Sequence, residues 1–374
     1  MATISLKSVT KSDSGRNGNA IDTVRELDLE IQDREFVVLA GPPDCGISSV
    51  VRLIAGLDEV SNGDIFVGDR RVNDLAPKDR DLALVPQSYV PYPRMPVYDN
   101  LAFPLTLRKF SKAETKKRVL AAAGLLGLQE LLERKPESLS SEQRQRVAIA
   151  RAVALQPKAL LFDRALSTLE TQVRGRLRGE IVKLHQRLQV TMIYVTHDPI
   201  EAMAMGGRIV VMNEGAIQQE GRAPALYDEP ANLFVAEFMG PMNFVQGTLK
   251  QDRDWVVFRE SEEGTIEVRL PASEFPGGRD VAGGAVVLGI RPEEIEVTEN
   301  TKNTEQVSGR FPALLDRVEP VGRESNLYLQ TGAHTLLCRS QRHIDQQEAG
   351  HRFQFELNTG KVRLFDPITR RRIG

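Results

Sequence analysis

One segment limits the fold more than any other. The β-branched run Phe36-Val37-Val38-Leu39-Ala40 stops at the stretch GPPDCGISS (41–49), and a helical pattern continues from Ser48 to Gly56. A buried strand that ends at glycine, turns through a short loop and enters a helix presents loop N–H groups and a helix N-terminus at one point, a natural anion site. Gly41, Gly46 and Ser48 fit the phosphate-binding frame G-x-x-x-x-G-K-[ST], but Ile47 stands where that frame has lysine. Taken alone, the segment reads more readily as a strand-to-helix turn than as a competent phosphate cradle.

Three further apolar runs set the architecture. Ala159-Leu160-Leu161-Phe162-Asp163 ends in a carboxylate, Met192 to His197 ends in histidine, and Arg208 to Met212 precedes the turn Asn213-Glu214-Gly215. Buried runs separated by helices predict an α/β fold with a largely parallel sheet and ligands at the carboxyl ends of its strands. The Ala-, Leu- and charge-rich section from Lys112 to Ala154 reads as helical. After Gly240-Pro241 the texture changes. Thr265–Leu270 and Asn326–Gln330 alternate apolar and polar residues, as in a small β barrel or sandwich. The expected domains are therefore 1–240 and 241–374.

Composition excludes several classes. A balance of 49 basic against 51 acidic side chains gives no bulk-charge basis for binding nucleic acid. Cys45 and Cys338 lie far apart, which argues against a disulfide framework and fits a reducing cytoplasm. No apolar run approaches the ~18 residues of a membrane span, and the N-terminal MATISLKSVTKSDSG lacks the apolar core of a signal peptide. A membrane role would come through a partner. His185, His334, His343 and His351 show no ligand spacing with the cysteines, so no metal cluster is expected, and Arg370-Arg371-Arg372 reads as a solvated tail.

Six segments in order resemble the ATP-binding subunit of ABC importers of the maltose and sugar type. They are the loop at 41–49, then Leu84-Val85-Pro86-Gln87 with YPRMPVYDNLAFPL (92–105), LSSEQRQRVAIARA (139–152), LLFDRALSTLE (160–170), VTHDPIEAM (195–203) and VLGIRPEEIEV (287–297). The resemblance implies a P-loop nucleotide-binding domain with a helical subdomain at about 90–155, followed by an OB-like TOBE regulatory domain. It implies ATP with Mg²⁺ as ligand, and permease subunits docked against the Gln87-to-Leu105 region. It places the protein peripherally on the cytoplasmic face of the inner membrane. By the same resemblance, Gly41, Pro42, Pro43, Asp44, Cys45, Gly46, Ile47, Ser48 and Ser49 form the phosphate loop. Ser48, Gln87 and Asp163 are the Mg²⁺ positions, Ser140 and Gln143 belong to the signature loop, and His197 contacts the γ-phosphate.

Several of these positions have changed. Losing the lysine at 47 removes a charge-assisted hydrogen bond worth ~1.5–3 kcal/mol. Asp44 adds a carboxylate beside a polyanion and, lacking glycine's freedom, is expected to distort the loop. Arg164 occupies the place of the glutamate that orients the attacking water and cannot act as a base. Ser141 and Glu142 replace the two glycines of LSGGQ, bringing a negative charge toward the partner's γ-phosphate. Glu170 replaces an aspartate of the dimer-contact segment, and the aromatic that stacks on adenine is absent near Asp13. Gln87, Ser140 and His197 are intact. Because each site joins one subunit's phosphate loop to the other's signature loop, a homodimer would be damaged on both sides and a heterodimer would keep one damaged half in each site. The exchanged charges at 44 and 164 admit two outcomes: an ion network of Arg164 with Asp44 and Asp163 filling the site, or unrelated side chains pointing to water.

Three functions fit: an importer subunit with weak ATP binding or slow hydrolysis, a structural or regulatory pseudo-ATPase docked to permeases, or a ligand-binding regulator acting through the β-rich C-terminal domain.

Overall fold

The computed structural model describes residues 3–14, 20–88, 91–261, 263–273, 275, 283–298, 308–332, 334–342 and 344–373. His343 lies outside them. The chain divides into two compact units, Met1–Ala223 and Pro224–Gly374.

In the first unit, β1 (Ile4–Ser14) and β2 (Ala20–Ile31) precede β3 (Phe36–Ala40) and α1 (Ile47–Ala55). Next come β4 (Asn62–Val67), β5 (Arg70–Arg71) and β6 (Leu82–Val85), then α2 (Val97–Leu107), α3 (Lys112–Leu126) and α4 (Ser141–Ala154). The unit closes with β7 (Ala159–Asp163), α5 (Thr171–Leu188), β8 (Thr191–Thr196), α6 (Pro199–Ala204), β9 (Arg208–Asn213) and β10 (Ala216–Gly221).

The six-stranded sheet runs β10-β9-β3-β8-β7-β6, parallel except for the edge strand β10. Every residue of β3 and β8 is buried, which accounts for their unbroken apolar runs. A second, antiparallel sheet, β2-β1-β4-β5, shares a core with β3 and with Val50, Val51 and Ile54 of α1. The register then fixes the site. Ala40 lies opposite Thr196 and Asp163 opposite Val195, so the residues that follow β3, β7 and β8 emerge side by side.

The helical section is organised by polar staples. Asn100 is fully buried; its Oδ1 accepts the Tyr92 N–H at 2.7 Å, and its Nδ2 donates to the carbonyls of Tyr92, Met95 and Pro96 at 3.2, 2.9 and 3.1 Å. That fixes the turn leading into α2. Tyr92 and Leu107 remain exposed on this section.

The second unit takes all but the first residue of α7 (Ala223–Asp228), followed by α8 (Leu233–Met239). It continues with β11 (Asn243–Asp252), β12 (Trp255–Glu260), β13 (Glu267–Pro271), β14 (Ala285–Ile290) and β15 (Ile295–Thr298). The last strands are β16 (Arg310–Val321), β17 (Glu324–Gln330), β18 (Thr335–Ser340), β19 (Arg352–Leu357), β20 (Arg363–Phe365) and β21 (Arg372–Ile373). They form two antiparallel sheets, β13-β12-β11-β14-β20-β21 and β15-β19-β16-β17-β18, around one apolar core that includes Phe258, Leu288, Phe311 and Phe355.

The division falls earlier than the change of texture at Gly240, and Arg291 supplies a reason. Its buried guanidinium donates to the carbonyls of Tyr227, Ala236, Gly240 and Pro241 at 2.9, 2.9, 2.7 and 3.0 Å and lies 3.9 Å from the Tyr227 ring centroid. The helices that an end at Gly240 would leave in the first domain are tied to the β-rich unit. Among the described residues, no helix is long and apolar enough to cross a membrane.

Candidate functional site

The loop between β3 and α1 is shaped by its glycines. A Cβ on Gly41 would lie 2.3 Å from the Met212 carbonyl oxygen, and one on Gly46 (φ 97°) 2.2 Å from that of Thr23. Asp44 occupies a left-handed position of this loop. It takes φ 64°, the left-handed conformation that aspartate enters more readily than most residues. Gly46 caps α1, whose first turn holds no acidic residue and no side-chain cap, so no side chain of the cap competes with an anion there.

Ile47 does not reach along the loop as a cation would. It is only 1% exposed and packs into the core beside Cys45, Val50 and Val51. Ser48 Oγ, one position on, donates to Asp163 Oδ1 at 2.9 Å. The structure thus brings together two of the three residues that the resemblance assigns to magnesium.

Arg164 follows β7 with φ 48°. Its Nη1 lies 3.3 Å from His197 Nε2, and its Nε 3.8 Å from Asp163 Oδ1. His197 Nδ1 sits 2.7 Å from the Gly41 carbonyl oxygen and can only donate to it, which leaves Nε2 to accept from Arg164. The two rows of loop residues are thus joined: Gly41 to His197, His197 to Arg164, Arg164 to Asp163, Asp163 to Ser48. Of these, Ser48, Arg164 and His197 border a cleft of about 210 Å³, which Thr23, Pro43, Asp44, Gly46, Ile47 and Ser49 also line. Of the network left open by the sequence, Arg164 meets Asp163 and does not meet Asp44. Asp44 is exposed and has no ion pair within 4.0 Å among the described residues.

The end of β8, just before His197, is tied down by a residue that the sequence did not single out. Glu201 is buried at 4% exposure and accepts from Tyr194 Oη at 2.9 Å and from Thr196 Oγ1 at 2.5 Å. Burial first, and the Glu201 carboxylate second, push the Tyr194 phenol well above its ordinary range, so it stays a donor. The signal was the glutamate of VTHDPIEAM itself.

The remaining predicted residues lie apart from this cluster. Gln87 stands half-buried just beyond β6 and makes no hydrogen bond to Ser48 or Asp163. Ser140 caps α4 in a reciprocal box: its Oγ accepts the Gln143 N–H at 3.2 Å, while Gln143 Oε1 accepts the Ser140 N–H at 3.0 Å. Glu142 is not the free negative charge that the sequence implied. Arg146 and Arg176 each donate to it at 2.9 Å, and Arg146 also reaches Glu180 at 2.6 Å. Asp13 accepts from Thr23 Oγ1 at 3.2 Å and lies 3.6 Å from Lys11 Nζ. Glu170 caps α5 without a side-chain hydrogen bond. Among the described residues, no group of three or more His, Cys, Asp or Glu side chains could hold a metal ion.

The description "ABC transporter" matches residues 24–167, "MalK OB fold domain" 241–295 and "TOBE domain" 288–365. The oligosaccharides import ATP-binding protein MsmX of Bacillus subtilis is 43% identical over 363 residues, covering 94% of each chain. The chain belongs to the ATP-binding proteins of ABC transporters. Among other ABC relatives, the trehalose/maltose import ATP-binding protein MalK of Thermococcus litoralis is 42% identical over 93% of this chain and 95% of its own. The sn-glycerol-3-phosphate import ATP-binding protein UgpC of Yersinia pestis is 39% identical over 98% of both. A solved structure, the dimeric post-hydrolysis state of the ATP-binding cassette MJ0796 bound to ADP and Pi, superposes with TM-score 0.52 at 30% identity. That match covers 59% of this chain and 98% of the other. The ABC fold, an α/β P-loop domain followed by a β-rich OB/TOBE unit, is thereby shown.

The residues present fit an ABC nucleotide's phosphates in part. The loop backbone, the start of α1 and the Ser48–Asp163 oxygen pair are in place. Magnesium at that pair would screen phosphate charge. The loop's own cation is missing and a guanidinium stands at the end of β7 instead.

Proposed function

We propose that the protein is the ATP-binding subunit of an import complex for sugars or related small solutes, docked to permease subunits at the cytoplasmic face of the membrane, with weakened ATP binding and no ordinary hydrolysis. The named activities of the relatives support the import role: oligosaccharides, trehalose and maltose, and sn-glycerol 3-phosphate. The dimeric cassettes similar to it support assembly in pairs, as a homodimer or with a second ATP-binding subunit. The stapled section around Asn100 and the exposed Tyr92 and Leu107 are the surface we assign to the permease.

The observation that carries the catalytic part is Arg164. A positioned acid or base contributes ~10²–10⁴ in rate, and a guanidinium bonded to His197 cannot polarise water as a base. Apolar Ile47 removes one charge-assisted hydrogen bond, which weakens binding roughly ten- to a hundredfold. Co-purification with permease subunits, together with phosphate release measured on the complex, tests the proposal. A chain that joins permeases and shows negligible release supports it. Failure to join them refutes the import role, and ordinary turnover refutes the catalytic part. That same Arg164 favours the pseudo-ATPase variant of this role over slow hydrolysis.

A further inference from the structure

We propose that Arg164 is a phosphate-binding residue, supplying from the end of β7 the cation that the loop lacks at position 47. This rests on the reading that the cleft takes a nucleotide. Arg164 is the one Lys or Arg among the residues lining the cleft. It is held there rather than free: His197 takes one Nη1 proton at 3.3 Å, and Asp163 lies at 3.8 Å from Nε without accepting a hydrogen bond.

The guanidinium is also incompletely satisfied. Its Nε is buried with no hydrogen-bond partner, and of the four such side-chain atoms among the described residues only this one belongs to a residue that lines the cleft. A buried donor without an acceptor is unfavourable, and a phosphate oxygen is an acceptor of matching charge. The planar fork suits two oxygens of one phosphate, whereas a lysine would offer a point charge. Arg164 shares the cleft with Gly46, Ile47, Ser48 and Ser49 at the start of α1, so an anion there would have both the guanidinium and the helix N-terminus within its lining.

Size defines the ligand class further. A cleft of about 210 Å³ is smaller than the ~300–1,000 Å³ typical of pockets that enclose a whole small molecule. It takes the phosphate end of a nucleotide, with the nucleoside lying outside. Near Asp13, where a stacking aromatic would be expected, Asp13 is instead engaged with Thr23 and Lys11. Recognition therefore runs through the polyphosphate more than the base.

The test is a titration of the full chain with Mg-ATP and with inorganic tripolyphosphate, using wild type, Arg164→Gln and Arg164→Lys, with thermal melting to confirm folding. Wild type is expected to bind both ligands. Arg164→Gln should weaken both roughly ten- to a hundredfold, while Arg164→Lys, which keeps the charge, should lose much less. Unchanged or tighter binding by Arg164→Gln would overturn the proposal, because the guanidinium would then be a bystander or a plug. An Arg164→Lys chain as weak as Arg164→Gln would overturn the role of charge. A wild-type chain that binds neither ligand would instead sink the nucleotide-site reading on which this rests.

Discussion

Nη1 of Arg164 lies 3.3 Å from Nε2 of His197, so the histidine that the resemblance assigns to the γ-phosphate is engaged by an arginine of the same chain. The Nδ1 contact to Gly41, at 2.7 Å, fixes that orientation from the other side. The cluster is built around a cation at the position where the resemblance puts a glutamate.

Hydrolysis should accordingly be negligible, and Arg164→Glu alone should not restore it. Position 47 would still be apolar, and a new carboxylate at 164 would join Asp44 in the cleft and stand beside Asp163. Asp44→Gly, Ile47→Lys and Arg164→Glu together are the smallest set expected to recover turnover. Steady-state phosphate release compares them, and full activity from Arg164→Glu alone would contradict this assignment.

Ile47 has become a core residue. At 1% exposure among Cys45, Val50 and Val51, its truncation to alanine should cost ~2–4 kcal/mol, lost transfer energy plus a cavity. Urea denaturation reads this directly. A loss below ~0.5 kcal/mol, the range of surface substitutions, would mean that the side chain is not packed.

Arg291 should matter to stability far more than an ordinary basic residue. Arg291→Ala leaves the carbonyls of Tyr227, Ala236, Gly240 and Pro241 short of a donor, a cost on the order of 2–4 kcal/mol. In the wild-type chain, limited proteolysis should cut near Ala223–Pro224 rather than at Gly240. In the variant, cleavage should spread through 224–241. A first cut at Gly240 in wild type would contradict the assignment of the two helices.

Both cysteines should be inert in the folded protein. Burial pushes the Cys338 thiol up to about 12, with Glu296 adding to the shift, and its Sγ donates to the Ile295 carbonyl at 3.0 Å. Burial also raises Cys45, with Asp44 contributing. The sign follows from the folded value lying above the ordinary 9.0: the Cys338 contribution to stability is complete below pH 9.0 and is lost as pH rises toward about 12. A thiol reagent at pH 8 should modify both residues in urea and neither in the native chain. Rapid native labelling of Cys338 would refute its burial.

The parallel sheet was legible because doubly covered strands leave unbroken apolar runs; Phe36–Ala40 and Ala159–Asp163 coincide with β3 and β7. The antiparallel pair β1 and β2 was not singled out, since its alternating polar residues carry no comparable run. In the site, residue identities at 44, 47, 142 and 164 announced altered chemistry. Their partners did not follow from sequence. Arg176 lies 34 residues from Glu142, and His197 lies 33 from Arg164, separations that only the sheet and helix packing close. The buried orientation of Ile47 was equally invisible, because the loop frame says where a lysine would point and nothing about an isoleucine.

Isothermal titration of the isolated chain with Mg-ATP reads binding and turnover in one experiment. We predict saturable heats with affinity weaker than micromolar, each injection returning to baseline. Micromolar or tighter affinity with a sustained hydrolysis heat, at a rate near that of an intact ABC ATP-binding protein, would contradict a site in which Ile47 is withdrawn into the core and Arg164 occupies the place of the base.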